Sequence, residues 1–471
     1  MPLRRLALAL ALCCATLAHA QEQQQASVTI PKAELDQLIA AYALVKSQYV
    51  EAPDERKLLT AAIGGMLASL DPHSQYLGKD DLAGLEQDRL GEYVGIGIEV
   101  EIDAGRMQVV AVADDGPAAQ AGIEPGDTLA TLDDAVISRL GASEVAKRMR
   151  GVPGTALALG WQRGGKGELR HADITRAALR SETVRTQTVA PGVSWIRVAG
   201  FEGHTAADLA AALSTLDAGG APRAIVLDLR NDPGGLVSSA VGVAGAFLPR
   251  DTLLFSARGR MEGADSQVTV AQRYYREPNG PDVLANLPAW TRTVPLAVLV
   301  NGSSASSAEL VAGALQDNGR ARIVGTQTFG KGSIQTVFPL SDDSAVKMTV
   351  ARYFTPHGRE IQAQGITPDV VVAPAPGKSG ADGLALREAD LEHHLEATLP
   401  AHGAAAPDAA PPARRAALES TRMFGSADDR ALATAVKMLV PDAGLAYEAG
   451  ALLRKLGLKI EASAQALANS L

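Results

Sequence analysis

The chain has 471 residues, of which 46% are hydrophobic and 4% are aromatic, and it carries a formal net charge of −9. That length is ample for several domains, each with a core of its own. The acidic balance, the scarcity of aromatic side chains and the lack of a basic tract argue against nucleic acid as a partner.

The first twenty residues predict a signal peptide (1–20). Arg4 and Arg5 precede an apolar stretch at 6–17, and a small-residue motif ends at Ala20, where we expect cleavage. The apolar stretch is too short to span a bilayer comfortably. The mature protein would therefore begin at Gln21 and reside in the periplasm.

The two cysteines of the chain, Cys13 and Cys14, both lie in this leader. A lipid anchor on one of them is an alternative that fits poorly, because Leu12 or Cys13 would occupy the small-residue position of the cleavage site. After cleavage no cysteine is left, so the protein needs no disulfide in an oxidising compartment. The mature sequence lacks clustered cysteines and a His-Glu-x-x-His motif, so we predict no metal and no cofactor.

Residues 21–90 predict an N-terminal helical region. Apolar side chains recur there three and four positions apart, which is typical of an amphipathic helix. They are Leu35, Leu38, Tyr42, Val45 and Tyr49. Such a face usually packs on its own chain, and self-association is the alternative.

Residues 91–176 resemble a PDZ domain. The resemblance rests on a Gly-Ile-Gly-Ile loop, an alternating strand at 99–102, a short helix and turn at 116–127 and a longer helix at 143–150. It implies that N–H groups of the loop receive the terminal carboxylate of a peptide, which adds as a strand to the domain edge. The loop residues are Gly95, Ile96, Gly97 and Ile98. Without the downstream pattern, this loop would be only a twisted strand.

Two strand–turn–helix units predict a parallel sheet. In the first, an apolar strand at 224–230 is followed by a turn at 231–235 and an apolar helix at 236–248. In the second, a strand at 295–300 is followed by a turn of small residues at 301–305. Ligand crevices in open parallel sheets lie at the carboxyl ends of strands, so we expect these two turns to meet.

Ser306 falls at the end of the second turn, just before an apolar helix that we predict from residue 309. Free N–H groups and the positive end of the helix dipole would stabilise an oxyanion beside it. The N–H group of Ser307 is one candidate donor, and that of Gly234 or Gly235 is the second. Serines before helices are more often simple N-caps, so the position alone predicts little.

Lys331 follows Ser306 by twenty-five positions and lies between two glycines. A serine hydroxyl needs a base to take its proton. A lysine is such a base only while its amine is neutral, which burial promotes. Gln335 lies four positions further on and would share a face with the lysine on a strand. A lone spacing of this kind is weak evidence without its context.

In combination, these segments strongly resemble the carboxyl-terminal processing peptidases, also called tail-specific proteases. The likeness runs over 39–372, and its segments occur in the expected order. The matching segments lie at 69–74, 93–98, 228–235, 304–309, 314–317, 328–336 and 365–369. Asp232 departs from the pattern, because many relatives have asparagine there.

The resemblance implies a multidomain α/β fold in which a ClpP/crotonase-like Ser-Lys protease core, at 177–374, carries an inserted PDZ domain and helical segments at both ends. It makes Ser306 the nucleophile, Lys331 the general base and Gln335 the residue that orients the lysine. The oxyanion hole would be formed by backbone N–H groups, and the candidates are Gly234, Gly235 and Ser307. The reaction would pass through an acyl-enzyme.

The resemblance also implies partners. The substrates would be proteins or peptides with free C-termini in the bacterial envelope. Some relatives assemble through their N-terminal helices, and some rest inactive until an adaptor protein binds. A homo-oligomer and an adaptor are therefore further hypotheses for this chain.

Three alternatives stay open. His357 lies in a matching segment and would serve a serine–histidine arrangement, although its position after Pro356 is typical of an exposed turn. A PDZ scaffold with a degenerate protease core is the alternative from another functional class. A hydrolase of non-peptide esters would use the same dyad but would leave the PDZ domain without a role.

Residues 375–471 predict a linker followed by a C-terminal helical region. The segment 401–416 is rich in alanine and proline, as mobile linkers are. The segment 428–456 predicts helix, interrupted near Pro441. Whether this tail docks on the protease, joins a partner or seals an oligomer stays open.

Overall fold

The computed structural model describes residues 31–103, 106–113, 116–140, 142–163, 167–261, 265–278, 280–373, 379–384, 386–400, 417–419, 424–426, 428–443 and 447. The predicted signal peptide with its two cysteines and the predicted linker at 401–416 lie outside the described residues. So do residues 444–446 and 448–456 of the predicted C-terminal helix. No helix in the described part of the chain is both long and apolar enough to cross a membrane.

In the first compact unit, which ends at residue 65, the described residues form two helices. Helix α1 spans Lys32–Gln48, and helix α2, which begins in this unit, spans Glu55–Ala68. The hydroxyl of Tyr42 donates to Glu55 at 2.7 Å, and the ammonium of Lys46 lies 2.7 Å from the same carboxylate. The predicted helix thus forms, and four of its five predicted apolar residues are exposed by more than a third: Leu35, Leu38, Val45 and Tyr49.

The second unit begins with two short elements, strand β1 (Gln75–Leu77) and helix α3 (Lys79–Leu90). The predicted PDZ region follows. Strands β2 (Glu92–Gly95) and β9 (Ala177–Arg180) pair antiparallel, so the region leaves and rejoins the rest of the unit at one place.

The sheet of this region has the strand order β3-β4-β5-β7-β8, with β6 paired to β5. Its strands are β3 (Ile98–Asp103), β4 (Arg106–Val112), β5 (Thr128–Leu132), β6 (Ala135–Val136), β7 (Ala156–Gln162) and β8 (Leu169–Thr175). Its helices are α4 (Pro117–Gln120) and α5 (Ala142–Met149). Side chains such as Val109, Leu132 and Leu157 form a separate apolar core. Strand β3, which follows the Gly-Ile-Gly-Ile loop, is an edge strand, as peptide addition requires.

The protease region is built on a sheet with the order β10-β11-β12-β15-β16-β19. Its strands are β10 (Val184–Ala190), β11 (Val193–Val198), β12 (Ala224–Asp228), β15 (Leu296–Val300), β16 (Arg322–Gly325) and β19 (Val370–Val371). All neighbours are parallel except β10 and β11. Because β12 and β15 are parallel neighbours, with Asp228 opposite Leu299, the turns that follow them meet as expected.

Three helices cover one face of this sheet: α6 (Thr205–Ala218), α7 (Val237–Phe247) and α9 (Ser307–Asp317). The opposite face is covered by the C-terminal segment, where helix α10 (Arg430–Leu439) buries Leu432 and Val436. Apolar runs that are buried on both faces are typical of parallel strands, which explains why β12 and β15 show no alternation. The C-terminal helix is therefore docked on the sheet.

A second sheet lies beside the first, with the order β1-β18-β13-β14 and with β17 paired to β18. Its remaining strands are β13 (Leu253–Gly259), β14 (Ser266–Thr269), β17 (Ser333–Ser341) and β18 (Ser344–Phe354). The short helix α8 (Gln272–Tyr275) follows β14, and two further strands, β20 (Ser379–Leu384) and β21 (Ala417–Glu419), pair with each other.

The C-terminal helix is anchored by buried charges. The carboxylate of Asp429 accepts a hydrogen bond from the N–H of Leu432 at the start of α10. It also accepts hydrogen bonds from both terminal nitrogens of Arg230, at 2.9 and 2.6 Å. Arg230 also donates to Asp228, and its guanidinium lies 3.9 Å from the ring centroid of Phe424. Arg230 opens the turn after β12, so the tail is tied to that turn.

Candidate active site

The turn that carries Ser306 is strained. Its backbone has φ 52° and ψ −113°, a conformation that non-glycine residues adopt only when their surroundings enforce it. The surroundings are present here: Ser304 donates its hydroxyl to the carbonyl of Leu229 and accepts the N–H of Asn301. Ser306 is half-buried at the N-terminus of α9.

The turn after β12 packs directly against Ser306. The N–H of Ala305 donates to the carbonyl of Asp232, and the hydroxyl of Ser307 donates to the carbonyl of Gly235, each at 2.9 Å. A Cβ atom at Gly234 would lie 2.9 Å from both the Cβ of Ser306 and the nitrogen of Ser307. Gly234 is thus required by this contact as well as by its φ of 96°.

The two glycines of that turn differ as oxyanion donors. The N–H of Gly234 is engaged, because it donates to Oδ1 of Asp232 at 2.8 Å. No such bond is present for Gly235 among the described residues. Of the predicted oxyanion donors, Gly235 and Ser307 are thus the two whose N–H groups are not engaged in this way among the described residues.

Asp232 is fully buried, and its second oxygen, Oδ2, has no hydrogen-bond partner among the described residues. Burial raises the pKa of this carboxyl well above its usual range, against the opposing effects of the Gly234 N–H and the positive charge of Arg197. The raised pKa favours the neutral carboxyl, which resembles the amide of the asparagine that many relatives have there.

Glu309 joins the serine turn to the lysine loop. Its Oε2 accepts the backbone N–H groups of Ser306 and Lys331, at 2.9 Å each. Its Oε1 accepts the N–H of Gly330 at 2.7 Å and the hydroxyl of Thr328. Two nitrogens that share one acceptor cannot lie further apart than twice that distance, so the backbones of the two predicted catalytic residues are adjacent. The sequence motif included Glu309, but its role was not predicted.

Lys331 is half-buried in the loop before β17, which is tied to the serine turn by a bond from the Phe329 N–H to the Ser304 carbonyl at 3.0 Å. Burial lowers the pKa of its ammonium, and the positive charge of Lys347 lowers it further. Three carboxylates oppose this shift: Glu388, Asp71 and Glu309. The net direction favours the neutral amine that a general base requires.

Gln335 lies on β17, half-buried, next to a register shift between β17 and β18. Its amide nitrogen donates to the hydroxyls of Ser333 and Thr349, at 2.9 and 3.1 Å. The structure thus places Gln335 on the strand that leaves the lysine loop, with its amide held by strand neighbours.

A buried group beside the lysine loop was not predicted from the sequence. Nε2 of His73 lies 3.0 and 2.9 Å from the two carboxylate oxygens of Glu388, which is fully buried. The backbone N–H of His73 donates to Asp71 at 2.8 Å. Asp71 and His73 lie in a segment that matched the family, but the match assigned them no role, and Glu388 lies beyond every matching segment.

His357, the histidine alternative, is 69% exposed. Its backbone N–H donates to Asp317 at 2.8 Å, and its ring nitrogen Nδ1 lies 3.7 Å from the same carboxylate. These contacts fit a turn residue near the end of α9, the opposite end from Ser306. Within the described residues no group of histidine, cysteine, aspartate and glutamate side chains is arranged to hold a metal ion.

The predicted carboxylate loop connects β2 to β3. Its carbonyls at Ile96 and Gly97 accept N–H groups of Ala118 and Ala113, each at 2.9 Å. Gly97 has a φ of 81°, which turns the chain sharply before Ile98 begins the edge strand. Gly95 ends β2 opposite Ala177. The loop is thus fixed at the start of β3, the last strand of its sheet.

Comparisons with known proteins agree with this architecture. The family model of peptidase family S41 matches residues 192–372, and that of the PDZ domain matches residues 94–174. The model of the N-terminal domain of the activating protease CtpB matches residues 12–81. The predicted α/β protease core with an inserted PDZ domain is confirmed.

Several similar proteins are named as carboxy-terminal processing proteases. A carboxy-terminal-processing protease of Bartonella bacilliformis is 38% identical over 359 residues, which cover 75% of this chain and 78% of the relative. A carboxyl-terminal-processing protease of Synechocystis is 35% identical over 337 residues, with coverages of 70% and 74%. The solved structure of a photosystem II D1 C-terminal processing protease aligns at 30% identity with a TM-score of 0.42, covering 73% of this chain and 94% of that one. The chain belongs to the carboxy-terminal processing proteases of peptidase family S41 and is a serine-type peptidase with a PDZ domain.

Proposed function

We propose that the protein is a periplasmic endopeptidase that recognises the C-terminal tails of proteins through its PDZ domain and cleaves them through an acyl-enzyme on Ser306, with Lys331 as the general base. The observation that carries the dyad is the shared carboxylate of Glu309, which holds the backbones of both residues. The periplasmic location rests on the predicted signal peptide alone.

In this mechanism the hydroxyl oxygen of Ser306 attacks the scissile carbonyl carbon, and its proton passes to the neutral amine of Lys331. The N–H groups of Ser307 and Gly235 face the oxyanion. The amine of the departing peptide then takes the proton from Lys331 as the C–N bond breaks. A water molecule then gives a proton to Lys331 and attacks the ester carbonyl, and Lys331 returns that proton to the oxygen of Ser306 as the C–O bond breaks. Gln335 supports the strand that positions the lysine.

The PDZ domain supplies recognition. An extended peptide would add to edge strand β3, with its terminal carboxylate at the loop formed by Gly95, Ile96, Gly97 and Ile98. The oligomeric state and the need for an adaptor protein stay hypotheses based on the family, and neither enters the chemistry above.

The test is cleavage of an unfolded model protein by the mature chain and by three variants, Ser306→Ala, Lys331→Ala and His357→Ala. We expect activity to be lost in the first two, by at least about a thousandfold, and kept in the third. An inactive Lys331→Ala with normal folding supports the dyad. Loss in His357→Ala with an active Lys331→Ala would overturn the mechanism, and a Ser306→Ala protein with full biological function would favour a PDZ scaffold.

Recognition is tested with one peptide made in two forms, with a free C-terminal carboxylate and with a C-terminal amide. The free acid should be cleaved with a lower KM, because only it offers a charged group to the N–H groups of the loop. Equal turnover of the two forms would contradict tail recognition.

A further inference from the structure

The loop that carries Lys331 is held from two sides. On one side, Glu309 accepts the N–H of Lys331 itself. On the other side, the backbone N–H of Glu388 donates to the carbonyl of Phe329 at 3.1 Å, and Gln362 accepts the N–H of Gly332 at 3.0 Å. The second side belongs to segments outside the serine turn.

Glu388 and Gln362 act as one unit, because the amide nitrogen of Gln362 donates to Oε1 of Glu388 at 2.9 Å. Both side chains are fully buried. They meet the loop at the second residue before Lys331 and at the first residue after it. A shift of Glu388 would therefore move the backbone on both sides of the lysine.

His73 completes this unit by approaching both oxygens of Glu388 with one ring nitrogen, at 3.0 and 2.9 Å. The imidazole is 17% exposed, so its contact with the carboxylate is largely shielded from water. The segment of His73 is fixed in turn by Asp71, which accepts the His73 N–H and the hydroxyl of Ser74. A buried carboxylate requires such a partner, because an unpaired buried charge is strongly destabilising.

Resting on the proposed role of Lys331 as the base, we propose that Glu388, with His73 as its cap, positions the lysine loop and places a buried negative charge beside it. Among the carboxylates that raise the pKa of Lys331, Glu388 has the largest effect, ahead of Asp71 and Glu309. The positive charge of Lys347 acts in the opposite direction. The peptidase family model ends at residue 372, so this carboxylate is supplied by chain beyond it.

The proposal predicts opposite effects for two substitutions. Glu388→Gln removes a negative charge but keeps the shape and the acceptor for Gln362, so the neutral amine is favoured and the pKa of Lys331 falls. His73→Gln removes the ring nitrogen that contacts the carboxylate of Glu388. The negative charge of Glu388 then acts more strongly on the lysine, and the pKa of Lys331 rises. In the double variant the carboxylate is absent, and the value should match that of Glu388→Gln.

The experiment measures the rate at which Lys331 is acetylated by trace acetic anhydride as a function of pH, read by mass spectrometry on the lysine-bearing peptide. This readout follows the amine itself and does not depend on catalysis. We expect displacements of roughly half a unit to one unit of pH, downward for Glu388→Gln and upward for His73→Gln. Glu392→Gln is the matched control in the same segment, because that side chain is 91% exposed, and it should displace nothing.

The acid limb of kcat/KM for the same variants gives the second readout, and it should move in the same directions as the titration. The inference would be overturned if both variants lost activity while the titration of Lys331 stayed unchanged. It would also be overturned if both variants displaced that titration in the same direction. Failure of the proposed function looks different: Lys331→Ala would stay active while the titration of Lys331 still responded to Glu388.

Discussion

Two buried acids flank Ser306, and they differ in how many donors they meet. Glu309 receives four, from Ser306, Lys331, Gly330 and Thr328, and its pKa is raised to about 7. Asp232 receives one, and burial raises its pKa well above the usual range. Both are fully buried, so the number of donors is what separates them. Burial is the largest influence on both pKa values, and the number of donors decides how far that influence is offset.

The comparison predicts that Glu309→Gln has the largest effect. An amide has one oxygen, so its NH₂ group must face two of the four donors, and at least one buried N–H group loses its acceptor. We expect kcat/KM to fall by about a hundredfold or more, because the serine turn and the lysine loop lose their common anchor. The free energy of unfolding should fall by about 2–4 kcal/mol.

Peptide cleavage and urea unfolding check this prediction. Glu392→Gln makes the same chemical change at an exposed position and should leave both quantities unchanged. A Glu309→Gln protein with normal kcat/KM would show that the carboxylate is not needed to hold the two loops together.

Asp232→Asn is predicted to raise stability rather than lower it, by an amount that depends on pH. The unfolded chain ionises an aspartate near its ordinary pKa, while the folded chain holds the proton to higher pH, so the wild type loses stability as pH rises through that window. Asparagine cannot ionise. Relative to the wild type, the variant should therefore gain up to about 1.4 kcal/mol per pH unit while Asp232 stays protonated.

Unfolding of both proteins at about pH 5 and about pH 7 measures this gain. Cleavage should be kept within about threefold, because the amide oxygen still accepts the Gly234 N–H. Asp134→Asn, at an exposed position, is the control. A stability difference that does not change between the two pH values would mean that Asp232 is ionised in the fold, and the comparison would fail.

The sequence predicted this region unevenly, for physical reasons. The strands and helices around both turns came within about two residues of the observed bounds, since apolar runs and small-residue turns are local signals. The adjacency of the Ser306 and Lys331 backbones fits the family motif. The anchoring by Glu309 was not predicted, because a carboxylate at the third position of a helix is usually a cap.

Contacts between distant segments were beyond the reach of local patterns. His73 and Glu388 are separated by 315 positions, and Arg230 and Asp429 by 199. The sequence around Glu388 does not distinguish it from an acidic residue on the solvated surface, and the same holds for Asp429. Burial and a specific partner define their roles, and both arise only in the folded chain.

The smallest predicted effect removes one donor from Glu309. Thr328→Val deletes the hydroxyl that bonds Oε1, and that hydroxyl also accepts the N–H of Ile366 at 2.6 Å. With three donors, the pKa of Glu309 should rise above about 7, toward the behaviour of Asp232. A raised folded pKa means that stability falls as pH rises through it, so the loss should be about 1 kcal/mol in acid and larger above neutral pH. Thr328→Ser keeps the hydroxyl and should show little of this change. An equal loss at every pH would show that Thr328 contributes only its bond to Ile366, and that three donors ionise Glu309 as well as four.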